Sequence, residues 1–191
     1  MTQPFATRLT RQPIPYDPGP AAEIAAQFAD LASDLTSLLA ATAGCSPYLN
    51  GLMTREGDWL RAALAGPPEV AAAEVLAVLV PMPADQLGPA LRRAKRRIAL
   101  LTALADLGGV WPLETVTATL TDFADLATHS ALTALVGAEI ARGKIPGLTP
   151  DDAAQAGGMV VLAMGKMGAH ELNYSSDIDL IVLFDETRFD R

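Results

Sequence analysis

The sequence has little that could crosslink the chain or anchor it to a membrane. Cys45 is its one cysteine among 191 residues, so no internal disulfide can form. We therefore expect a reducing compartment and a buried thiol with a structural role. No apolar run approaches the roughly 20 residues of a membrane span, and the first 20 residues lack the apolar segment of a secretory signal. These absences predict a cytoplasmic protein that does not enter a membrane.

Positive charge, aromatic side chains and histidine are also scarce. Lys and Arg total 14 against 22 Asp and Glu, which gives a net charge of −8, and aromatic residues make up 5%. This balance argues against a broad nucleic-acid interface and against binding to an anionic membrane surface. The two histidines, His129 and His170, have no metal-ligand spacing, and we expect them to be ordinary polar residues.

What the sequence does contain is alanine and leucine, which favour helices. Apolar periodicity and chain-breaking residues predict helices over 21–44, 47–53, 58–65, 69–80, 85–107 and from 112 to about 140. Ser46 and Pro47 form a typical helix start, with serine as N-cap and proline in the first turn. Residues 1–20 carry five prolines and predict either an extended leader that wraps onto the body or a flexible arm.

One predicted helix carries a basic cluster that is unusual in so acidic a chain. Its members are Arg92, Arg93, Lys95, Arg96 and Arg97. One interpretation is a solvated face that pairs with nearby Asp and Glu side chains. The other is a cationic patch that contacts a nucleotide or an acidic partner.

The segment that carries chemistry is Met159–Asp185. Apolar runs predict strands over 159–164 and 178–184, and the glycine-bearing loop Gly165–Gly168 follows the first of them. Asp177 and Asp179 stand at the start of the second run. Because side chains at i and i+2 of a strand share a face, the sequence predicts two neighbouring carboxylates beside that loop.

Two adjacent carboxylates repel each other unless a cation lies between them. Hard oxygen ligands suit Mg²⁺, which takes much of its remaining shell from water and substrate phosphates. Gly165 allows the backbone to approach a phosphate, and Lys166 adds a positive charge there. Together these residues predict metal-assisted attack at a phosphorus centre. The alternative is that Ser175, Ser176 and Asp177 only form a turn.

The run MGKMGAHELNYSSDIDL, residues 164–180, resembles the signature of the glutamine synthetase adenylyltransferase family, whose bifunctional enzymes attach AMP to glutamine synthetase and remove it. It also fits the broader nucleotidyltransferase pattern of a glycine loop followed by Asp-x-Asp on a strand. The stretches 46–49 (SPYL) and 91–111 are similar to the same family. The resemblance therefore covers about Ser46 to Phe184, and Ala169 departs from it where the family often has a second glycine.

The resemblance implies an α+β fold: a mostly helical N-terminal region, then the start of a polymerase-beta-like nucleotidyltransferase sheet that is incomplete at the C-terminus. It implies that Asp177 and Asp179 are catalytic and bind Mg²⁺, and that Gly165, Lys166 and Ser176 lie near the phosphates of ATP or ADP. The implied reaction is either removal of AMP from a glutamine synthetase tyrosine, with inorganic phosphate as the attacking group and ADP as the product, or transfer of AMP to that tyrosine. The implied partners are glutamine synthetase and, as a further candidate, the PII signal protein.

Two strands do not form a stable sheet alone, and the family's fold uses a third carboxylate on a later strand. We therefore expect an N-terminal fragment of a longer enzyme, inactive by itself. The expected parts are a leader (1–20), a helical region (21–142), a linker (143–157) and the first strands of the nucleotidyltransferase domain (158–191). The alternatives are an enzyme like the uridylyltransferase of the PII protein, or a helical interaction module without catalysis.

Overall fold

A computed structural model describes residues 3–79 and 82–188. The helices are α1 (Pro18–Gln27), α2 (Ser33–Cys45), α3 (Pro47–Arg55), α4 (Gly57–Ala65), α5 (Pro68–Ala77), α6 (Ala84–Leu107), α7 (Leu113–Ala141) and the single turn α8 (Gly165–Gly168). The strands are β1 (Met159–Ala163) and β2 (Leu180–Phe184), and short 3₁₀ helices cover Phe5–Arg8, Pro150–Gly158 and Glu186–Arg188. The α+β class expected from the sequence is confirmed.

The chain divides into two compact units. The first takes the residues up to Val75 together with Lys95–Thr119, and the second takes Leu76–Ala94 and the chain from Leu120 onward. Helices α6 and α7 thus contribute residues to both units. The domain bounds expected from the sequence stay a prediction.

The leader lies along the helices of the first unit. Its 3₁₀ turn places Phe5 in the core, where the side chain is 0% exposed. Main-chain hydrogen bonds add to this: the N–H of Phe5 donates to Gly66 O (2.9 Å), that of Thr10 to Gly108 O (3.0 Å) and that of Asp17 to Gly44 O (2.9 Å). The Arg8 side chain also pairs with the Glu69 carboxylate at 2.7 Å. Of the two arrangements expected, these residues adopt the one that wraps onto the body.

The single helix predicted over 21–44 is wrong, because the chain forms α1 and α2 with a break between them. The carbonyl of Phe28 accepts hydrogen bonds from the Leu31 N–H (3.1 Å) and the Thr36 hydroxyl (3.0 Å). It therefore does not continue the helical ladder. The apolar stripe nevertheless stays buried across the break, with Ile24 on one helix and Leu38 on the other.

The other helices follow the sequence signals closely. The Ser46 hydroxyl caps α3 by accepting a hydrogen bond from the Leu49 N–H (3.3 Å), as predicted. Helix α6 begins one residue before the predicted 85–107, and α7 continues without interruption to Ala141. Helix α5 ends at Ala77, earlier than the predicted Val80, which lies outside the described residues.

The expectation that the Cys45 thiol is buried is wrong, because the structure places this side chain at the surface. It occupies the last position of α2, and its thiol donates to the Ile14 carbonyl of the leader at 3.1 Å. The helix end therefore places this thiol at the surface. Within the described ranges, no helix is both long enough and apolar enough to cross a bilayer.

Two arginines of the basic cluster pair with a buried carboxylate within the first unit. The Glu56 side chain is 5% exposed and accepts hydrogen bonds from the Nε atoms of Arg96 (2.7 Å) and Arg97 (2.9 Å). The Arg97 guanidinium also lies over the Trp59 ring, 5.1 Å from its centre. For these two arginines the pairing interpretation is confirmed; the role of the remaining cluster stays a prediction.

In the second unit, β1 and β2 form an antiparallel pair with Met159 opposite Phe184 and Ala163 opposite Leu180. Both strands are slightly shorter than predicted. Strand β1 ends at Ala163 rather than Met164, and β2 begins at Leu180 rather than Ile178. The predicted linker (143–157) includes all but the last residue of the 3₁₀ segment Pro150–Gly158, which a capping box between Thr149 and Asp152 begins. This segment leads directly into β1.

Candidate functional site

The antiparallel pairing brings the glycine loop and the Asp-x-Asp sequence to the same end of the hairpin. The N–H of Met164 donates to the carbonyl of Asp179 at 2.9 Å, which adds one more hydrogen bond beyond the Ala163–Leu180 pair. Gly165 follows Met164 directly. The main chains of the two predicted site segments are therefore neighbours, although 15 positions separate Met164 from Asp179 in the sequence.

The two aspartates lie just before β2 rather than inside it. The predicted strand over 178–184 starts two residues late, at Leu180, because the regular pairing with β1 begins there. Asp177 and Asp179 occupy the extended approach to the strand, and both are exposed. That their carboxylates share one face stays a prediction.

The predicted glycine loop is one helical turn, α8. The Ala169 N–H donates to Gly165 O (3.0 Å), and the Glu171 N–H donates to Lys166 O (2.8 Å). Gly165 adopts a φ of +56°, which a residue with a side chain rarely takes. At Gly168 a Cβ would collide with the carbonyl oxygen of Ala163. The sequence of this turn is therefore constrained by its own backbone.

Ala169, where the resemblance departs from the family pattern, fits this turn without strain. Its φ is −82°, which is ordinary for an L-residue, and its side chain is exposed. The added methyl group therefore does not distort α8.

Three charged side chains at this end of the hairpin face solvent. Lys166, Asp177 and Asp179 are all exposed, and among the described residues none of them takes part in an ion pair. Their charges are therefore available to a ligand. Two carboxylates and an ammonium group suit Mg²⁺ and a phosphate, respectively, in donor chemistry. No group of three or more His, Cys, Asp or Glu side chains forms a metal cluster in the part of the chain that the structure describes.

Ser176 lies in a turn organised by Asn173. The Oδ1 atom of Asn173 accepts hydrogen bonds from the Ser176 hydroxyl (2.7 Å) and from the Ser175 N–H (3.2 Å). The turn predicted as an alternative therefore exists, and it leads into Asp177. Asn173 was missed by the sequence analysis, although Asn two or three residues before serines is a recognisable turn signal.

Helix α7 supports the segment that follows α8. The N–H of Leu172 donates to the hydroxyl of Thr121 at 3.2 Å, and both residues are buried. Met167 and Leu172 pack against Ala124 in a small apolar cluster. The imidazole of His170 lies 3.4 Å from the Asp122 carboxylate, and both side chains are about half exposed.

Thr121 was also missed, because no local pattern marks a hydroxyl that bonds a residue 51 positions away. His170 lies beside the Asp122 carboxylate, and its expected role as an ordinary polar residue stays a prediction. His129 lines a cavity of about 290 Å³ that α7 and β1 enclose together with Met167.

Electrostatics at the far end of the hairpin are set by short-range hydrogen bonds. The hydroxyl and N–H of Thr187 hold the pKa of the Asp185 carboxyl below its ordinary value. The N–H and hydroxyl of Thr149 do the same for the pKa of Asp152, which also contacts Arg188 at 3.3 Å. These carboxylates are thus ionised structural groups and stand apart from Asp177 and Asp179.

Comparison with known proteins agrees with the sequence signature. A family model described as glutamate-ammonia ligase adenylyltransferase matches residues 35–190. A protein of Rhodopseudomonas palustris, named bifunctional glutamine synthetase adenylyltransferase/adenylyl-removing enzyme, is 42% identical over an alignment of 201 positions, which covers 95% of this chain and 20% of the relative. Proteins of the same name from a Bradyrhizobium species and from Caulobacter vibrioides are 45% and 43% identical, over 78% and 76% of this chain and 16% and 15% of their own lengths. No solved structure matches the chain.

The chain spans about a fifth of the length of the first of these relatives. The match extends well beyond the Asp-x-Asp signature and includes most of the helical region. The resemblance stated from Ser46 to Phe184 is thereby confirmed. Since the family model matches 35–190 of 191 residues, this chain belongs to the glutamate-ammonia ligase adenylyltransferase family.

Proposed function

We propose that the chain is a nucleotide-handling part of an enzyme that transfers AMP to, or removes it from, a tyrosine of glutamine synthetase. Such an enzyme would regulate nitrogen assimilation in the cytoplasm. The observation that carries the proposal is the Met164–Asp179 main-chain hydrogen bond, which holds the Gly-Lys turn beside the Asp-x-Asp segment. The names of the similar proteins support the choice of AMP and of glutamine synthetase.

In the removing direction, an oxygen of inorganic phosphate attacks the phosphorus of the adenylyl-tyrosine. A new P–O bond forms, the P–O bond to the tyrosine breaks, and the phenolate takes up a proton. The products are ADP and unmodified tyrosine. Transfer of AMP from ATP to the tyrosine releases pyrophosphate and uses the same kind of displacement at phosphorus.

The residues present fit a magnesium-dependent reaction. Asp177 and Asp179 offer exposed carboxylate oxygens, the ligand type that Mg²⁺ prefers, and they leave room for water and phosphate oxygens. When bound, this ion would supply charge stabilisation at the phosphorus under attack. Lys166 would bind a non-bridging phosphate oxygen through its ammonium group. The Gly165 backbone would lie close to the same phosphate.

Ser176 has a more restricted part in this proposal. Its hydroxyl proton is donated to Asn173, so the oxygen is free to accept but not to donate in the present arrangement. It would contact a phosphate through a rotated hydroxyl, because its N–H already donates to the Asn173 carbonyl at 3.4 Å. Its first role is to hold the turn that leads into Asp177.

Binding of Mg²⁺ and ADP by the chain tests the proposal. We expect calorimetric titration to detect ADP binding that requires Mg²⁺. The variant Asp177→Asn with Asp179→Asn should lose it, because both proposed metal ligands are neutralised. The double variant Glu23→Gln with Glu74→Gln is a matched control, since it removes two exposed carboxylates elsewhere and changes the net charge equally.

The proposal would be overturned if neither ADP nor ATP bound in the presence of Mg²⁺, or if both double variants bound alike. Either result would favour the interaction module, in which the hairpin only contacts a partner. A preference for UTP over the adenine nucleotides would favour an enzyme like the uridylyltransferase. Phosphorolysis of adenylylated glutamine synthetase, assayed with and without the PII protein, tests the expectation that the chain is inactive alone.

A further inference from the structure

Thr121 stands out in the second unit because it is a fully buried polar residue in the N-terminal third of α7. Its side chain is 0% exposed. Its hydroxyl oxygen accepts the N–H of Leu172 at 3.2 Å. Leu172 is 7% exposed, so water has little access to this N–H group. A donor in that position needs a protein acceptor.

The same part of α7 holds α8 by packing. Met167, the third residue of α8, contacts a cluster that includes Leu172, Ala124 and, more peripherally, Leu120 and Ala163. The segment from α8 to Leu172 is therefore fixed at both ends, by Met167 in the apolar cluster and by the Leu172 N–H on Thr121. Lys166 lies beside the first of these points.

The Leu172 end of this segment is followed directly along the chain by the turn that precedes Asp177. Leu172 is next to Asn173, whose side chain binds Ser175 and Ser176. Asp177 follows Ser176. One buried hydrogen bond from α7 thus orients the chain between the exposed lysine and the exposed aspartates.

We propose that Thr121 is a positioning residue: its hydroxyl fixes the separation between Lys166 and the Asp177–Asp179 segment. It contacts neither metal nor nucleotide. This inference rests on the proposed function, because the ligand concerned is the magnesium complex of a nucleoside diphosphate. Valine at this position keeps nearly the same shape but leaves the buried Leu172 N–H without its acceptor. Serine keeps the acceptor.

The test compares Thr121→Val with Thr121→Ser in the full chain. Thr133→Val is the matched control, since Thr133 lies on the same helix and its hydroxyl donates to carbonyls of that helix, those of His129 and Ser130. Affinity is measured by titration with ADP and Mg²⁺. Amide hydrogen exchange of 165–176 is measured without nucleotide. For Thr121→Val we expect about a tenfold weaker ADP affinity, as for a lost hydrogen bond to a buried donor, with faster exchange across 165–176.

The ADP affinity of Thr121→Ser should lie within about twofold of that of the unaltered chain, and the affinity of Thr133→Val should equal that of the unaltered chain. Rescue by serine separates positioning from a packing defect, because serine lacks the methyl group but retains the hydroxyl. Unchanged ADP affinity in Thr121→Val would overturn the inference, as would an equal loss in Thr121→Ser. If the unaltered chain bound no ADP, the proposed function would fail. In that case, amide hydrogen exchange of Thr121→Val without nucleotide would test the positioning role by itself. Faster exchange across 165–176 would support the role, and faster exchange at Leu172 only would overturn it.

Discussion

The two units of this chain differ in how they hold their important residues. In the first unit, helix packing buries side chains completely, and Leu38, Leu39 and Leu60 are each 0% exposed. In the second unit, every residue of β2 is exposed, with Leu183 at 50% and Phe184 at 62%. The groups proposed to act on phosphate are placed by main-chain hydrogen bonds and by two contacts from α7. In this chain the fully buried leucines and the proposed phosphate site thus belong to different units.

The largest effect is expected when a large apolar side chain is truncated in the core of the first unit. We expect Leu38→Ala to lower the free energy of unfolding by about 2–5 kcal/mol, because the site is fully buried and a cavity remains. Leu183→Ala, the same change at a half-exposed position of β2, should cost less than about 1 kcal/mol. Urea titration at neutral pH measures both. Similar losses for the two variants would show that β2 is as well packed as α2.

A second test concerns the Glu56 carboxylate. Burial alone would raise its pKa, but the hydrogen bonds from Arg97 and Arg96 outweigh this effect and hold the pKa below its ordinary value of 4.5. Glu56→Gln should cost about 3 kcal/mol at pH 7, because it leaves two arginines without their buried counter-charge. A group with a lowered pKa stabilises the fold above its unfolded pKa and loses this contribution as the pH falls through the folded value.

The unaltered chain should therefore lose stability on acidification below about pH 4.5, and Glu56→Gln should lose less over the same range. Urea titrations at a series of pH values measure this difference. Glu74→Gln, at an exposed position on α5, provides the control and should retain the pH dependence. Parallel pH curves for the unaltered chain and Glu56→Gln would contradict the assignment.

A third test addresses α8 in the second unit. Gly168→Ala places a methyl group against the Ala163 carbonyl, and we expect it to destabilise the turn locally by about 2 kcal/mol. Native-state hydrogen exchange at the Gly165–Leu172 amides measures this local change. Ala169→Gly is the paired control, with an expected effect below about 1 kcal/mol at an exposed position of ordinary φ. Equal protection in both variants would mean that the turn tolerates the methyl group.

The smallest effect is expected for the pair between Arg188 and Asp152, in which both side chains are partly exposed. Arg188→Met should change the melting temperature only slightly, because solvent screens such a pair. Added salt should reduce even this difference, and scanning calorimetry at two salt concentrations measures it. A large, salt-independent loss would show that this contact is as important to the second unit as Glu56 is to the first.

Local signals predicted much of this structure. The Ser46 cap, the long periodic stripe of α6 and the glycine turn between two apolar runs all depend on residues within a few positions of each other. The break between α1 and α2 was not predicted, because the same face stays buried on both sides of it and periodicity alone does not register the turn. At the break, the Phe28 carbonyl accepts the Leu31 N–H and the Thr36 hydroxyl rather than the Ala32 N–H that would continue an α-helix.

The candidate site divides in the same way. Lys166, Asp177 and Asp179 could be singled out from their spacing, since charge and glycine are visible in any short segment. Thr121 could not, because the role proposed for it depends on a partner 51 residues away and a hydroxyl inside a helix has no distinctive neighbours. The exposure of Cys45 was missed for a related reason: free cysteines are usually buried, and only the position of the helix end brings this one to the surface.

The attachment of the leader has a consequence for how its sequence can change over time. Three of the bonds that hold it run from its main chain to carbonyls at Gly44, Gly66 and Gly108. Main-chain groups are the same in nearly every amino acid, so these three bonds leave the leader's own sequence largely free. The receiving side is not: a Cβ at Gly44 would come within 2.6 Å of the Asp17 carbonyl oxygen. The leader's own constraints come from side chains instead, since Phe5 is 0% exposed and Arg8 pairs with Glu69 at 2.7 Å. The main-chain bonds therefore restrict the glycine that receives them, and the side-chain contacts restrict the leader.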